Sequence, residues 1–479
     1  MRMKFHLLII AALLLPLAPS SAQQAKALTT LRKSVSGELG SSLFTHALAA
    51  VEISDAASGT ILYSQNESLL LRPASNAKLF TSAAAVLGLP ADFSFKTQLA
   101  AADSAMHTII CIGGGDPLSD AQDIQKLAEI AYRAGVTRID TLLLDDSLFE
   151  NDYFGRGWMW DDESDPFTPY LSAFSVNSNT VTIRVSNPAK NDAELIVSSI
   201  PSSRIFRISH RKSSTEEPEF RIERMPRSNE FIIHGRPRRG QIGSEKFSIW
   251  QPHKLFADLL VMELQQRGLT SDSVIVMFSP SHSPLRLLGE VETPLAEVLE
   301  MVNKESDNLC AEAVLRALSF GTGIEKTGVS AEDGIAAMVS ILSKHKLGTD
   351  DIALQDGSGI SFYNLVTAAS IGRVLRTLSS PATYSRYRSS MSIAGIDGTL
   401  RNRMPNLSPP ASFRGKTGTV RGVSALSGYV QAPGGRLLTV VMLMQNFVGK
   451  ASPYREVQDR IVKHCLEYSA SFTAVKQPR

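Results

Sequence analysis

The chain has 479 residues, 43% of them hydrophobic, and a formal net charge of +2. This length is typical of about three domains, the hydrophobic content is sufficient for large cores, and the near-zero charge gives no argument for a nucleic-acid partner. Cys111, Cys310 and Cys465 are too few for a disulfide framework and have no zinc-site spacing. They allow at most one disulfide, and three buried thiols are an equally good interpretation.

The first residues predict a secretory signal peptide over 1–22. Arg2 and Lys4 give a charged start, an apolar core follows over 7–17, and Ser20-Ser21-Ala22 offers small residues for cleavage. The apolar run is short and is interrupted by a proline, which argues against a membrane span. We therefore expect the mature chain to be exported, to the periplasm or the cell wall, with no membrane span.

Hydrophobic periodicity predicts a first helix and a hairpin, followed by alternating helices and strands. From about 181 to 239 the segments become short, alternating and polar, which is typical of a small all-β insertion. The predicted helices cover 24–45, a stretch that starts near Ser75, 123–134, 252–267, 293–302, 308–318, 331–345 and 453–467. The predicted strands cover 47–54, 60–64, 141–144, 274–278, 424–431 and 437–445.

The stretch Ser75-Asn76-Ala77-Lys78 carries a candidate nucleophile and a candidate base on one turn of a helix. Residues three apart share a helix face, so the Lys78 amine can reach the Ser75 hydroxyl. A serine hydroxyl needs an adjacent base to take its proton, and an amine is a base only in its neutral form. The apolar run after Lys78 favours that form because it removes water from the amine.

The same Ser-x-x-Lys spacing occurs twice more, so it is not specific by itself. The stretch 209–212 is polar and basic, which predicts a solvated surface, and 343–346 closes a helix, where lysines fit the carbonyl end. Ser75 instead opens an apolar helix just after Pro73, where free backbone N–H groups are expected. Context therefore favours Ser75 as the nucleophile.

Ser306-Asp307-Asn308 lies between two predicted helices, the first of which is expected to have Thr293 as its N-cap and Pro294 in its first turn. A serine hydroxyl relays protons, and an asparagine amide can both donate to and accept from a substrate amide. A helix N-cap explains Ser306 and Asp307 equally well. The spacing recurs in Ser175-Val176-Asn177, so this pattern is also weak by itself.

Lys416-Thr417-Gly418 precedes a predicted hairpin strand and suits a strand edge, where Gly418 permits close backbone approach. A second copy, Lys326-Thr327-Gly328, leads into Ser330, a good N-cap for the next helix, and a plain loop explains that copy better. The chain thus contains Ser-Lys, Ser-Asp-Asn and Lys-Thr-Gly in that order. Three weak signals in this order make one strong signal.

With these patterns, the chain resembles the penicillin-binding D-alanyl-D-alanine carboxypeptidases of the low-molecular-mass class C type over nearly its whole mature length. Further segments that resemble the family are 115–117, 145–149, 157–162, 172–177, 356–361, 363–366 and 394–400. The resemblance implies an α/β (α+β) fold with a transpeptidase-like, β-lactamase-like domain whose antiparallel sheet packs between helices. It also implies a nested insertion of two smaller domains between the first two patterns.

The implied domain boundaries agree with changes of sequence character near 95, 181, 240 and 288. They give a signal peptide over 1–22, a catalytic domain over 23–95 and 288–479, an inserted domain II over 96–180 and 241–287, and a small β-rich domain III over 181–240.

The resemblance implies acyl transfer in two steps, with no metal and no cofactor. Ser75 attacks the carbonyl between two terminal D-alanines of a peptidoglycan stem peptide, and Lys78 takes the proton. Ser306 relays the proton to the leaving amine, while Asn308 holds the substrate amide. Water then releases the acyl-enzyme. Penicillin resembles the dipeptide and stalls as the ester, so β-lactams are expected covalent inhibitors.

The resemblance also assigns binding roles at the third pattern. The backbone N–H groups of Ser75 and Thr419 form the oxyanion site that a tetrahedral intermediate requires. Lys416 shapes the local field, and Lys416 and Thr417 bind the terminal carboxylate of the substrate next to Gly418.

Diaminopimelate in a stem peptide carries both an amine and a carboxylate on its side chain. By resemblance Asp162 binds the amine, although an exposed acidic turn also explains this residue. Relatives selective for diaminopimelate tend to carry an Arg where this chain has Phe362, which cannot pair with a carboxylate. Arg421 faces the same pocket in the family, so we expect it to supply the missing cation. Alternatively, Arg421 points to solvent and Phe362 packs against the substrate's methylenes.

Other functions stay open at this stage. A D,D-endopeptidase that cuts D-alanyl cross-links belongs to the same family. A β-lactamase shares the fold but deacylates fast, and this chain is long for that class and has no identifiable deacylating glutamate. A non-catalytic cell-wall binding protein would not need Ser75, Lys78 and Lys416 together.

Overall fold

The computed structural model describes residues 21–150, 154–189, 194–211, 219–280, 284–320 and 327–472. The helices are α1 Ser21–Leu39, α2 Lys78–Gly88, α3 Ala121–Arg133, α4 Pro252–Gln266, α5 Leu295–Glu300, α6 Asn308–Ala317, α7 Ala331–Lys344, α8 Ala368–Leu378, α9 Pro381–Ser389 and α10 Ser452–Ala470. Short 3₁₀ turns cover Ser42–Phe44, Ala74–Ala77, Trp160–Asp162, Asn177–Asn179 and Gly398–Leu400, and a π-helix covers Met301–Glu305.

The first strands along the chain are β1 Leu48–Asp55, β2 Ile61–Gln65, β3 Ser94–Ala101, β4 Thr108–Ile112, β5 Ile139–Asp145, β6 Thr180–Ser186, β7 Ile196–Ile200, β8 Arg207–Arg211, β9 Arg221–Arg224 and β10 Glu230–His234. The later strands are β11 Ile242–Ser248, β12 Ser271–Met277, β13 Arg286–Pro294, β14 Ile352–Ala353, β15 Leu365–Val366, β16 Ser392–Ile393, β17 Phe413–Val420, β18 Val423–Val430 and β19 Leu438–Gln445.

The largest sheet has six strands in the order β16-β17-β18-β19-β1-β2, and every neighbouring pair is antiparallel. Every residue of β18 and β19 is buried, because helices cover both faces of the sheet. Helices α1 and α10 pack on one face, while α2, α6 and α8 pack on the other. The predicted antiparallel sheet between helices is therefore present.

A second sheet, in the order β12-β5-β4-β3-β13, is built largely from the predicted insertion. Strands β12, β5 and β4 are parallel, and β4, β3 and β13 pair antiparallel.

Strand β13 continues to Pro294, so the predicted N-cap at Thr293 is wrong. The Thr293 hydroxyl instead donates to Asp116 Oδ2 at 2.6 Å, and α5 starts at Leu295. Strand pairing with β3 overrides the local capping pattern here.

Two three-stranded sheets, β11-β6-β7 and β8-β10-β9, form the β-rich nested part. Their buried side chains, such as Ile183 and Phe231, join one cluster with Leu142 and Phe256 of the larger insertion. Because β11 pairs with β6 along its whole length, we propose that the nested unit extends to Ser248 and not only to residue 240. The remaining domain boundaries stay predictions.

Three further predictions concern the ends and the thiols. No helix within the described ranges is long and apolar enough to span a membrane. The predicted signal peptide lies outside the described residues, except that Ser21 and Ala22 begin α1. Cys111, Cys310 and Cys465 are buried free thiols, which is the second of the two interpretations.

Candidate active site

The turn that carries Ser75 begins with strained backbone and ends in a buried helix. Ala74 has a positive φ of 45°, which is uncommon for a residue with a Cβ. Ser75 lies in the 3₁₀ turn, and Lys78 is the first residue of α2, so the predicted single helix starts as a tighter turn. The Lys78 Nζ donates to Ser75 Oγ at 3.1 Å. The two side chains therefore meet as the spacing predicts.

The Lys78 amine is fully buried and has two further acceptors. It donates to Asn308 Oδ1 at 2.5 Å and to the Ser358 carbonyl at 2.7 Å. Burial lowers the pKa of Lys78 to about 8, while the nearby carboxylates of Asp356, Asp307 and Glu312 oppose that shift. A lysine with this pKa is neutral in a useful fraction of molecules near neutral pH and can act as a base.

The second pattern is held by an irregular helix end. The π-helix Met301–Glu305 ends at Ser306, which has a positive φ of 62°. π-Helical turns and left-handed non-glycine residues are uncommon and cluster at functional sites. Asp307 caps α6 by accepting from the Cys310 N–H at 2.8 Å, so the capping interpretation holds for Asp307. Ser306 is free to point elsewhere, and its Oγ accepts from Lys416 Nζ at 2.8 Å.

Asn308 links the site around Ser75 and Lys78 to the insertion, and the region between them is called the cleft. Its Oδ1 accepts from Lys78, and its Nδ2 donates to the carbonyl of Phe167, in the insertion, at 2.6 Å. An amide nitrogen has two hydrogens and a carbonyl oxygen two lone pairs, so Asn308 retains one donor and one acceptor for a ligand.

The third pattern lies on β17, beside the Ser75 turn. Strand β16 pairs with Arg414 and Gly415, and no strand among the described residues continues this pairing along the second half of β17. A Cβ on Gly418 would lie 2.9 Å from the Pro73 carbonyl and 3.1 Å from the Ser75 N. Glycine is therefore required for the close approach that the sequence predicts.

Lys416 is fully buried and lies next to Lys78. Its Nζ donates to Ser306 Oγ at 2.8 Å and to the Thr417 carbonyl at 3.0 Å. No carboxylate among the described residues pairs with it. Burial, together with the charge of Lys78, holds the pKa of Lys416 well below its ordinary value. An anion that reached Lys416 would favour its charged form.

The flanking residues of β17 complete this wall of the cleft. Thr417 donates through its hydroxyl to Thr399 Oγ1 at 2.8 Å. Thr419 is exposed, and its hydroxyl accepts from Arg455 at 3.1 Å. Arg421 is exposed in the turn between β17 and β18 and forms no ion pair with the described part of the chain.

Asp356 anchors the loop 356–364, which lies beside Lys78. Its buried carboxylate accepts hydrogen bonds from the backbone of Gly359 and Ser361, from Asn364, and from Trp158 Nε1 in the insertion at 2.9 Å. The insertion and the loop therefore share one hydrogen-bonded centre. The carbonyl of Ser358, which holds Lys78, lies within this loop.

Phe362, where an Arg was expected for a diaminopimelate site, lies on this loop, and Asp162, predicted to bind the substrate amine, lies in the insertion. Phe362 is 37% exposed, and the Arg72 guanidinium lies 5.1 Å from its ring centroid, a cation–π contact. Asp162 lies in an exposed turn with Asp161 and Asp165. Partial burial of its carboxylate and the negative charges of these two neighbours raise the pKa of Asp162. None of the three aspartates pairs with a Lys or Arg of the described residues.

Comparisons with known proteins agree with this geometry. A model of the D-Ala-D-Ala carboxypeptidase 3 (S13) family matches residues 31–467. The chain belongs to that family. The fold and reaction class predicted from the sequence, a serine-type D-Ala-D-Ala carboxypeptidase, are thereby confirmed.

Curated relatives of this S13 chain span most of its length. The D-alanyl-D-alanine carboxypeptidase of Actinomadura sp. (strain R39) is 29% identical over 466 residues, which cover 92% of this chain and 85% of the relative. DacB, a D-alanyl-D-alanine carboxypeptidase of Haemophilus influenzae, is 26% identical over 401 residues, covering 81% and 83%. The crystal structure of penicillin-binding protein 4 from H. influenzae superposes with a TM-score of 0.79 at 24% identity, over 90% of this chain and 99% of that one. The same protein complexed with a β-lactam gives 0.74 at 23% identity, with the same coverage.

Several residues of the S13 site are not evident from the sequence. Arg72, Thr399 and the Ser358 carbonyl enter the site through tertiary contacts alone. Glu312 could have been found from the sequence. A Glu and an Arg four residues apart on a helix that is otherwise mostly apolar predict a buried ion pair. That pair forms, with Arg316 Nη1 at 3.0 Å from Glu312 Oε2.

Proposed function

We propose that this S13 chain is an exported carboxypeptidase that cleaves D-Ala-D-Ala in peptidoglycan stem peptides through a Ser75 acyl-enzyme. One observation carries the proposal: Lys78 Nζ, with a pKa of about 8, lies 3.1 Å from Ser75 Oγ. A neutral amine at hydrogen-bond distance is what a serine nucleophile requires. Export rests on the predicted signal peptide.

In the first step Ser75 Oγ bonds to the carbonyl carbon of the penultimate D-Ala, and its proton passes to Lys78. The oxyanion receives hydrogen bonds from the N–H groups of Ser75 and Thr419. The C–N bond to the terminal D-Ala then breaks, and that amine receives a proton through Ser306. Water attacks the ester in the second step and releases the shortened peptide and free Ser75.

The terminal carboxylate of the substrate fits Lys416 and Thr417. Lys416 is a buried amine without a carboxylate partner in the described ranges, so a bound carboxylate would supply the missing counter-charge. A penicillin presents a carboxylate in the equivalent place and a strained amide to Ser75. We therefore propose covalent inhibition by β-lactams, as expected from the sequence.

The test of this function is labelling of the purified protein with a fluorescent penicillin, followed by incubation with muropeptides and mass analysis of the products. Ser75→Ala should abolish labelling and D-Ala release while circular dichroism stays unchanged. Label that persists on the folded variant would overturn the mechanism. Loss of D-Ala from pentapeptides indicates carboxypeptidase activity, and conversion of cross-linked dimers to monomers indicates endopeptidase activity.

The acidic turn near the cleft supports the predicted role of Asp162. The turn adjoins the cleft, because Phe167 in the same segment contacts Asn308. Its aspartates lack a cationic partner among the described residues, which suits them to a substrate amine. Asp162→Ala should weaken activity on diaminopimelate peptides more than on a minimal D-Ala-D-Ala ligand, and an equal effect on both would contradict this role.

The substrate carboxylate of diaminopimelate has two candidate cations. Arg421 is the one proposed from the sequence, and Arg72, stacked on Phe362, is a second that the contact in the structure favours. Arg72 forms no ion pair with any described residue, so its charge is available. Loss of a charged hydrogen bond should lower kcat/KM for diaminopimelate peptides. The expected decrease corresponds to a loss of about 1–3 kcal/mol of transition-state stabilisation.

Arg421→Gln and Arg72→Gln, measured on diaminopimelate and lysine-type peptides, distinguish the two cations. Arg133→Gln, at an exposed Arg of α3, is the matched control. The responsible cation is the one whose loss removes the preference for diaminopimelate, and Phe362→Arg should restore part of it. If neither variant changes that preference, both assignments fail.

A further inference from the structure

Glu312 is a fully buried carboxylate on α6, one turn after Asn308, and none of the predicted catalytic steps uses it. Its Oε1 accepts from two consecutive backbone N–H groups, those of Gly357 and Ser358, each at 2.9 Å. Its Oε2 accepts from Arg316 Nη1 at 3.0 Å. Burial, together with the nearby Asp356, raises the pKa of Glu312, whereas Arg316 and the Ser358 N–H favour its charged form.

The turn that Glu312 holds is the turn that holds Lys78. The Ser358 carbonyl accepts from Lys78 Nζ at 2.7 Å, and the Gly357 carbonyl accepts from Thr81 Oγ1, one helical turn along α2, at 2.8 Å. Both N–H groups of this turn therefore point to Glu312, while both carbonyl groups point to α2. Gly357 packs against α6 so closely that a Cβ would lie 2.8 Å from the Ala311 carbonyl.

We propose that Glu312 is a positioning residue for the catalytic amine: it fixes the 357–358 turn so that the Ser358 carbonyl orients Lys78 toward Ser75. The proposal deepens the proposed function and rests on it. Arg316 supplies the counter-charge, and its guanidinium also lies 5.7 Å from the ring centroid of Phe149 in the insertion.

The charge of Glu312 has a second, electrostatic effect on Lys78. The charged or titratable groups that face this amine are Asp307 at the N-cap of α6, Cys310 and Glu312 within α6, Asp356 from the loop, and Lys416 from β17. Burial lowers the pKa of Lys78, and the negative charge of Glu312 raises it. Removal of that charge therefore lowers the pKa of Lys78 and moves the acid limb of acylation to lower pH.

Two variants separate position from charge, with the second-order rate of penicillin acylation measured from pH 6 to 9.5. Glu312→Gln keeps an oxygen for the two N–H groups but loses the charge, so its acid midpoint should fall measurably below that of the wild type. The pair Glu312→Met with Arg316→Met removes the acceptor without leaving a buried unpaired charge, so its plateau rate should fall about tenfold or more. Glu332→Gln, at an exposed Glu paired with Arg156, is the control and should behave as wild type.

The result that overturns the positioning role is a folded double variant with the plateau of the wild type. A folded Glu312→Gln with its acid midpoint unchanged overturns the electrostatic effect. If Glu312→Gln does not fold, the plateau of the double variant decides alone. Ser75→Ala measured in parallel distinguishes the two levels of failure. If Ser75→Ala is still labelled by the penicillin, the proposed function fails and the role of Glu312 fails with it. If Ser75→Ala is not labelled and both Glu312 variants acylate like the wild type, only the role of Glu312 fails.

Discussion

Raising the pH from 7 to 9 should speed acylation of Ser75 about tenfold. With a pKa of about 8, Lys78 is neutral in roughly one molecule in eleven at pH 7 and in roughly ten in eleven at pH 9. An amine with the ordinary lysine pKa of 10.5 would be neutral about 300-fold less often at pH 7. The neutral amine is the form that accepts the Ser75 proton, so the rate rises with pH.

The low pKa of Lys78, which sets the size of this effect, follows from the surroundings of its amine. Lys78 is fully buried and its hydrogen bonds go to uncharged oxygens of Ser75, Asn308 and Ser358. Burial without a directly bonded carboxylate disfavours the ammonium form, while the carboxylates farther away limit the shift.

Stopped-flow acylation by a fluorescent penicillin, at constant ionic strength and from pH 6 to 9.5, measures this dependence. Circular dichroism at each pH controls for unfolding, and the free penicillin controls for attack by hydroxide. A rate that is flat across this range, or one still rising with unit slope at pH 9.5, would refute a lysine base with a pKa near 8.

Further predictions concern the fold around the site. Gly418→Val should reduce penicillin labelling at least tenfold because the new side chain meets the Ser75 turn, whereas Gly348→Ala, in open space, should label normally. Asp356→Ala leaves four hydrogen-bond donors without their acceptor and should lower the free energy of unfolding in urea by about 3 kcal/mol; a loss below about 1 kcal/mol would contradict its anchoring role. Ser343→Ala, at the end of α7, should retain full labelling, and a large loss without unfolding would mean that the wrong Ser-x-x-Lys copy was chosen.

Local sequence predicted many of the helices and strands and one contact of the site. The helix with its N-cap at Ser330 and the hairpin of β18 and β19 follow from capping and from hydrophobic patterning, which depend on residues near in the chain. The first pattern also predicted correctly that Lys78 reaches Ser75, because a spacing of three residues on one helical turn fixes that distance. The role of each site residue in catalysis stays a prediction.

Local reasoning failed where a distant partner competes with a local preference. Thr293 has the character of an N-cap, but strand pairing with β3 and a hydrogen bond to Asp116 extend β13 past it. Ser306 has the character of a cap too, yet the cap is Asp307, and the left-handed backbone at Ser306 turns its hydroxyl to Lys416. A single sequence gives no measure of such competition, because the winning contact joins residues far apart in the chain.

The sequence by itself indicated which chemistry this protein carries: two serines, two lysines and an asparagine in three patterns whose order indicates one family. Only the tertiary structure decided their environment. Burial of Lys78 among the Ser358 carbonyl, Asn308 and the Glu312-held turn requires α2, α6 and the 356–364 loop to pack together. The pKa of a side chain depends on the water and charges that the fold removes or brings near, and neither can be read from neighbours in sequence.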